Sequence, residues 1–123
     1  MNRALPTIIA VFLTLVGCVS PVSLALPIGD GEYVFKHRYV EQPNIESITL
    51  MARIDGTHIV LMNHDSFDVF PEGKIEEGTL FWHAATKQWI IVHSPTDRTA
   101  VEVGGCSGGP PVIDLQSRIY WTC

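Results

Sequence analysis

Apolar and polar residues alternate with a period of two through most of the chain after residue 30. In EYVFKHRYVE, for example, Tyr33, Phe35 and Tyr39 fall on one face of an extended strand, and the intervening residues fall on the other. No stretch of helix length shows the 3.6-residue period of an amphipathic helix. Because the side chains of a strand point alternately to its two faces, this pattern predicts an all-β domain.

An Asp-Gly pair, Asp55-Gly56, separates two alternating runs, SITLMARI and THIVLMN. Asp-Gly between such runs is a strong signal for a two-residue hairpin turn, because both turn residues then adopt positive φ. The sequence therefore predicts that residues 47–54 and 57–63 pair antiparallel, with Asp55 and Gly56 forming the turn.

Further strands are predicted at 79–84, 88–93 and 100–103, with a turn near Thr86-Lys87. Two more short strands, in PVIDL and RIYWTC, flank Gln116-Ser117. The total of about seven or eight strands, with turns every 8 to 12 residues or so, predicts a small antiparallel barrel or sandwich. The apolar side chains of these strands form the predicted core: Tyr33, Phe35, Ile48, Leu50, Ile54, Ile59, Leu61, Phe81, Trp89, Ile91, Ile119 and Trp121.

The N-terminal segment resembles a secretory signal. Arg3 is the only charged residue before Asp30, and a short apolar run, residues 8–16, follows it. That run is shorter than the roughly 20 apolar residues that span a bilayer. Residues 19–29, VSPVSLALPIG, carry two prolines, two serines and no charge, which is typical of a tether. The single β domain is predicted over residues 30–123.

The letters LVGC, Leu15 to Cys18, resemble a bacterial lipobox, in which aliphatic and small residues precede a cysteine. The resemblance implies that residues 1–17 are removed and that Cys18 becomes the acylated first residue, with palmitate or similar chains as the membrane anchor. Since Val19 rather than aspartate follows, it also implies the outer membrane, facing the periplasm. The alternatives are cleavage after Ala25, which would give a soluble periplasmic or secreted protein, and an uncut anchor.

The cysteine count supports export. Cys18 is removed or acylated under either cleavage, which leaves Cys106 and Cys123. A pair of cysteines in an exported domain predicts a disulfide, which would fix the last residue of the chain. Two free thiols are the alternative.

The stretch GCSGGP, residues 105–110, resembles the GDSGGP motif around the nucleophilic serine of chymotrypsin-like proteases. The resemblance implies a serine hydrolase with Ser107 as its nucleophile. This chain departs from the family: it is about half as long, it lacks the histidine motif, and Cys106 stands where the aspartate belongs. We therefore predict no catalytic residue here, but a glycine turn in which Ser107 and Gly108 are available to a partner.

Neither a cofactor nor a metal site is predicted. The expected hairpin register places His83 opposite Trp89 and His93 near Thr79, too far apart to share a metal. The loop NHDSFD, residues 63–68, lacks the ligand spacing of an EF-hand and favours a polar loop with Asx turns.

The acidic pair Glu76-Glu77 is predicted to be solvated charge at the start of a strand, because adjacent strand residues point to opposite faces. Trp82 is expected on the opposite face from Phe81. There it is either exposed, with Tyr39 nearby, as part of a partner-binding surface, or covered by a second core layer.

The formal net charge of −5 and the scattering of the three lysines make nucleic acid an improbable partner and favour a basic envelope protein. The sequence thus predicts a small envelope lipoprotein with a non-enzymatic binding or structural role. Ser107-Gly108 also resembles the Ser-Gly loop of periplasmic lysozyme inhibitors, although Gly109 to Val112 replace the tyrosine that follows in those families. A small-molecule carrier is a further alternative.

Overall fold

The computed structural model describes residues 24–65 and 70–123, in which the chain forms seven strands and one short 3-10 helix, Pro95–Thr99. The predicted signal peptide, Cys18 and part of the predicted tether lie outside the described residues. The described residues contain no helix with the length and apolarity needed to cross a membrane. The strands are β1 (Gly31–Tyr39), β2 (Thr49–Asp55), β3 (His58–Asn63), β4 (Gly73–His83), β5 (Gln88–Val92), β6 (Ile113–Asp114) and β7 (Ile119–Thr122).

The strands form a single sheet in the order β5-β4-β3-β2-β1-β7-β6. Neighbouring strands are antiparallel except for β1 and β7, which are parallel. The two edges of the sheet meet at a bridge between Ile90 and Val112, beside which Ile91 N donates to Pro111 O at 3.0 Å. The sheet is therefore nearly closed into a barrel, which confirms the all-β prediction.

The β2–β3 hairpin forms as predicted, but its turn lies one residue further along the chain. Asp55 pairs with His58, so that Gly56 and Thr57 form the two-residue loop. Of these two residues only Gly56 has positive φ, at 59°. Positive φ at the first loop residue alone is the type II′ pattern, which favours glycine at that position. The prediction that Asp55 and Gly56 both turn with positive φ is therefore wrong.

The β4–β5 hairpin also differs from its predicted register. Trp82 pairs with Trp89, and His83 pairs with Gln88 rather than with Trp89. The hairpin is closed by residues 84–87, in which Lys87 has a φ of 55°. Turns of this length carry no sequence signal as specific as that of a two-residue turn, so the alternation alone left the register undetermined by one residue.

The main core fills the barrel. Of the predicted core residues, seven are buried there: Phe35, Ile48, Leu50, Ile54, Ile59, Leu61 and Ile91. Tyr33 and Trp89 are half-buried against it, and Ile119 belongs to neither hydrophobic cluster. Leu26 and Ile28 also pack on this core, although the sequence assigned them to the tether.

A second hydrophobic cluster covers the outer face of the β4–β5 hairpin. Ile90, Val92 and Val112 are buried in it, and Phe81, Val103 and Trp121 pack around them. Because neighbouring strand residues alternate between faces, Leu80 enters the barrel and Phe81 does not. Phe81 was predicted to lie in the barrel core, whereas it packs in this outer cluster. The outer cluster therefore forms a second hydrophobic layer.

No strand forms at residues 100–103, contrary to prediction. This segment lies after the 3-10 helix and is held to the hairpin by His83. The Nε2 atom of His83 donates to Ala100 O at 2.6 Å, and the Nδ1 atom lies 2.7 Å from Thr86 Oγ1. The backbone of residues 100–103 therefore folds over the outer cluster instead of extending the sheet.

Candidate functional site

The glycine loop, Gly104–Pro110, is covalently joined to the last residue of the chain. The disulfide between Cys106 and Cys123 confirms the predicted bridge and brings their Cα atoms to 4.8 Å. The loop is closed by Gly104 N, which donates to Pro110 O at 2.8 Å. Gly104, Gly105 and Gly108 all have positive φ, which agrees with the prediction of a glycine turn.

Ser107 is exposed, but its hydroxyl serves its own loop. Its Oγ donates to Gly104 O at 2.7 Å and accepts from Gly109 N at 3.1 Å. Among the described residues, no histidine hydrogen-bonds to Ser107. A nucleophilic serine needs a base that can take its proton, whereas a carbonyl oxygen only accepts a hydrogen bond from it. The geometry therefore fits a structural turn better than a nucleophile.

Glu76 lies in a hydrogen-bonded network inside one end of the barrel. Its side chain is only 13% exposed; Oε1 contacts His93 Nε2, and Oε2 accepts from Tyr120 Oη at 2.9 Å. The prediction that Glu76 is solvated is therefore wrong. Because β4 already begins at Gly73, Glu76 lies within the strand and points into the barrel.

Glu77 has different partners from Glu76. It pairs with Lys74 Nζ at 2.6 Å and with His58 Nε2 at 3.0 Å on the exposed surface. The hydrogen bond and the charge of Lys74 lower the pKa of the Glu77 carboxyl. Glu77 is thus an ionised surface group, as the sequence predicted.

Burial is the main cause that raises the pKa of Tyr120 well above its usual value, and the charge of Glu76 raises it further. The Tyr120 phenol therefore stays protonated at neutral pH and well above it, and it donates its hydrogen bond to Glu76. A general acid works best when its pKa lies near the working pH. This network therefore has the properties of a structural element rather than of an acid/base pair.

His37 is fully buried at the same end of the barrel. Its Nδ1 and Nε2 lie 2.7 Å from Ser47 Oγ and Thr122 Oγ1, respectively. Tyr39 packs edge-on against this ring, with centroids 4.6 Å apart. Tyr39 does not line the cavities of about 310, 530 and 400 Å³ that Trp82 lines.

One group of potential metal ligands occurs among the described residues: Glu41, Cys106 and Cys123, with ligand atoms within 4.8 Å of one another. Because the two sulfurs are joined in a disulfide, they are not thiolates and the group is not a ligand set in this state. In the NHDSFD loop, Asn63 Oδ1 accepts from Asp65 N at 3.0 Å, which is the predicted Asx turn. Asp68 lies outside the described residues.

A concave surface opens where β5 and β6 separate. A cavity of about 310 Å³ is lined by Trp82, Trp89 and Trp121, which are all the tryptophans of the chain. Trp82 and Trp89 make a tilted edge contact, with ring centroids 5.5 Å apart and planes at 63°. Polar side chains surround the indoles: Lys87, Gln88, Asp114 and Gln116.

A second cavity, of about 340 Å³, continues this surface toward the glycine loop. The two cavities share Gln88, Val112 and Trp121, and the second reaches Gly104 and Gly105. We call the two together the seam groove. It links the surroundings of Trp82 with the base of the loop that carries Ser107 and Gly108.

No protein-family model, curated protein or solved structure matches this chain.

Sequence reasoning identified Trp82 as a candidate but missed most of the groove. Gln88 lies in β5, Gln116 in the turn between β6 and β7, and Trp121 in β7, and no local pattern relates them. Ser107 and Gly108 do not line either cavity, so of the three predicted binding residues only Trp82 faces the groove.

Proposed function

We propose that this protein is a non-enzymatic binding domain, anchored to the bacterial outer membrane by fatty-acylated Cys18 and facing the periplasm. The observation that carries the binding role is the seam groove, in which all three tryptophans meet. Binding sites concentrate aromatic side chains together with a few polar groups that orient the ligand.

The composition of the groove supports binding rather than catalysis. Its polar residues are two glutamines, Lys87 and Asp114. Asp114 Oδ1 accepts from the backbone of Gln116 and Ser117, at 3.1 and 2.9 Å, so this carboxylate stabilises a turn. Histidine, serine and cysteine, the usual nucleophiles and bases, are missing from the described lining of both cavities.

The location rests on the lipobox resemblance and on the position of Cys18 in the chain. Leu26 is the first residue of the described segment that packs on the barrel core. It lies eight positions after Cys18, a reach of at most roughly 25–30 Å when extended. An acylated Cys18 would therefore hold the barrel close to the membrane surface.

The anchor is tested by expressing the full chain in a Gram-negative host with labelled palmitate, beside the variant Cys18→Ala. We expect the label and membrane fractionation for the wild type, and the loss of both for the variant. A wild-type protein that is soluble, unlabelled and begins after Ala25 would overturn the anchoring proposal in favour of secretion.

A lysozyme inhibitor is the second candidate. It is favoured by the exposure of Ser107 and Gly108 on a loop pinned by a disulfide, and by the acidic net charge of −5. The test measures, by the fall in turbidity, how fast a basic lysozyme lyses cell walls in the presence of one equivalent of the protein. Unchanged lysis would remove this candidate.

A serine hydrolase that uses Ser107 is tested by fluorophosphonate labelling of the folded protein. We expect no label on Ser107, because its hydroxyl is bonded within the loop. Labelling that Ser107→Ala abolishes would contradict the non-enzymatic proposal.

A further inference from the structure

We infer that the seam groove binds an uncharged linear oligosaccharide built of hexopyranose units. The inference deepens the proposed function and rests on it in one respect, namely that the groove is the binding surface. It does not depend on whether Cys18 is acylated.

The side-chain chemistry of the groove matches the two kinds of surface on a sugar ring. Each pyranose ring has a face of C–H groups and an edge of hydroxyls. The half-buried indoles of Trp82, Trp89 and Trp121 offer an apolar aromatic surface to the C–H face of the sugar. The exposed amides of Gln88 and Gln116 both donate and accept hydrogen bonds, as hydroxyls require.

The shape of the groove favours a chain of units over a single one. Its two cavities, of about 310 and 340 Å³, each lie at the small end of ligand sites. They share Gln88, Val112 and Trp121 in their linings, so the two cavities lie next to each other along the seam. A linear oligomer fills such a tandem site better than a compact ligand does.

The charges of the groove favour an uncharged ligand. The first cavity has one cation, Lys87, and one anion, Asp114, and the second cavity has neither. A polyanion would in addition meet a chain with a net charge of −5.

A peptide strand fits this site less well. Extended peptides bind by adding a strand to a free sheet edge. Along the seam, Ile91 N already donates to Pro111 O, beside the bridge between Ile90 and Val112. These backbone groups are therefore not available for an added strand.

An apolar ligand has a better alternative nearby. A cavity of about 530 Å³ shares Trp82 and Trp89 with the groove and is lined mainly by apolar side chains, including Leu24, Leu26 and Leu80. Acyl chains would be expected there rather than among the amides of the seam groove.

The test is calorimetric titration of the purified full chain with two uncharged β-1,4-linked pentamers, one of glucose and one of N-acetylglucosamine, with tryptophan fluorescence recorded in parallel. We expect at least one pentamer to bind and to change the fluorescence, since every tryptophan lines the groove. The stronger of the two identifies the kind of glycan. Separate titrations with an uncharged extended nonapeptide and with decanoate provide the comparison.

Two variants place the binding. Trp89→Ala and Gln116→Ala should each weaken the titration, Trp89→Ala by roughly tenfold. Because Trp89 also lines the apolar cavity, Gln116→Ala is the variant that assigns the binding to the groove. Gln116 is exposed, so its variant should fold normally, and Thr49→Ala, an exposed polar position of β2 outside the groove, is its matched control.

Four outcomes would overturn the inference: no binding of either pentamer, binding that Gln116→Ala and Trp89→Ala leave unchanged, binding of the nonapeptide alone, or binding of decanoate alone. If the protein is acylated and membrane-bound but binds neither pentamer, only the ligand class is wrong. A soluble, unacylated protein that still binds a pentamer would contradict the anchor alone.

Discussion

Trp82 and Trp89 lie directly opposite each other on β4 and β5, with their ring centroids 5.5 Å apart. Edge-on aromatic pairs contribute about 0.5–1.5 kcal/mol beyond the area they bury. A double-mutant cycle of Trp82→Ala and Trp89→Ala, measured by urea unfolding, should give a coupling energy of that size. Strictly additive effects would show that the two rings act independently.

The disulfide should contribute about 3 kcal/mol to the free energy of unfolding, because it closes a loop between residues 17 positions apart. Urea unfolding with and without a reductant measures this difference. In the double variant Cys106→Ala/Cys123→Ala the reductant should have no effect, while the stability should match that of the reduced wild type. Equal stability of the oxidised and reduced wild type would contradict the prediction.

Tyr120→Phe should destabilise the domain by about 2 kcal/mol at neutral pH, because the charged Glu76 loses a hydrogen-bond donor in a partly buried position. The ring itself fills nearly the same space, so the packing of the core is kept. Tyr33→Phe is a suitable control, since the Tyr33 hydroxyl donates to Gly29 O at an exposed site. A similar loss in both variants would argue against a special role of the Glu76 network.

The same tyrosine predicts a loss of stability in alkali. Its pKa is raised in the folded state, mainly by burial, so the folded protein holds this proton more tightly than the unfolded chain. The free energy of unfolding should therefore fall as the pH rises above about 10, the ordinary pKa of tyrosine. Tyr120→Phe should show a shallower decline between about pH 10 and 11.5 than the wild type, and identical slopes would contradict this account.

Gly109→Ala should disrupt the glycine loop. A Cβ atom at this position would lie 2.0 Å from Glu102 O, a backbone atom that can move only with its segment. The expected loss is about 3 kcal/mol or more. At Gly29, where a Cβ would meet nothing within 4 Å, alanine should change the stability by less than about 0.5 kcal/mol in the same thermal or urea unfolding assay.

Most of the strands followed from the sequence because alternation is a local signal, although β4 begins at Gly73 rather than at residue 79 and no strand forms at 100–103. Alternation placed β1, β2 and β3, and Gly56 fixed the turn between the latter two. The turn was nevertheless assigned one residue early, because the Asp-Gly signal is compatible with loops of either kind. The register of the β4–β5 hairpin had no comparable marker.

The candidate site was predicted only in part. Trp82 was found because it alternates with Phe81, but alternation alone does not decide which face of β4 the barrel encloses. Glu76 was assigned to solvent because its partner Tyr120 is 44 residues away in the chain. Such pairings form only when the sheet closes, and no short stretch of the sequence carries a signal for that closure.

The sequence by itself determined the all-β class, the disulfide and about half of the buried aliphatic residues, because these depend on local periodicity and composition. The tertiary structure decided the parallel β1–β7 pair, the second cluster over Phe81, and the seam groove. The reason is physical: a strand buries either face equally well until its neighbours are fixed. Only the near-closure of the barrel at Ile90 and Val112 brings the three tryptophans into one site.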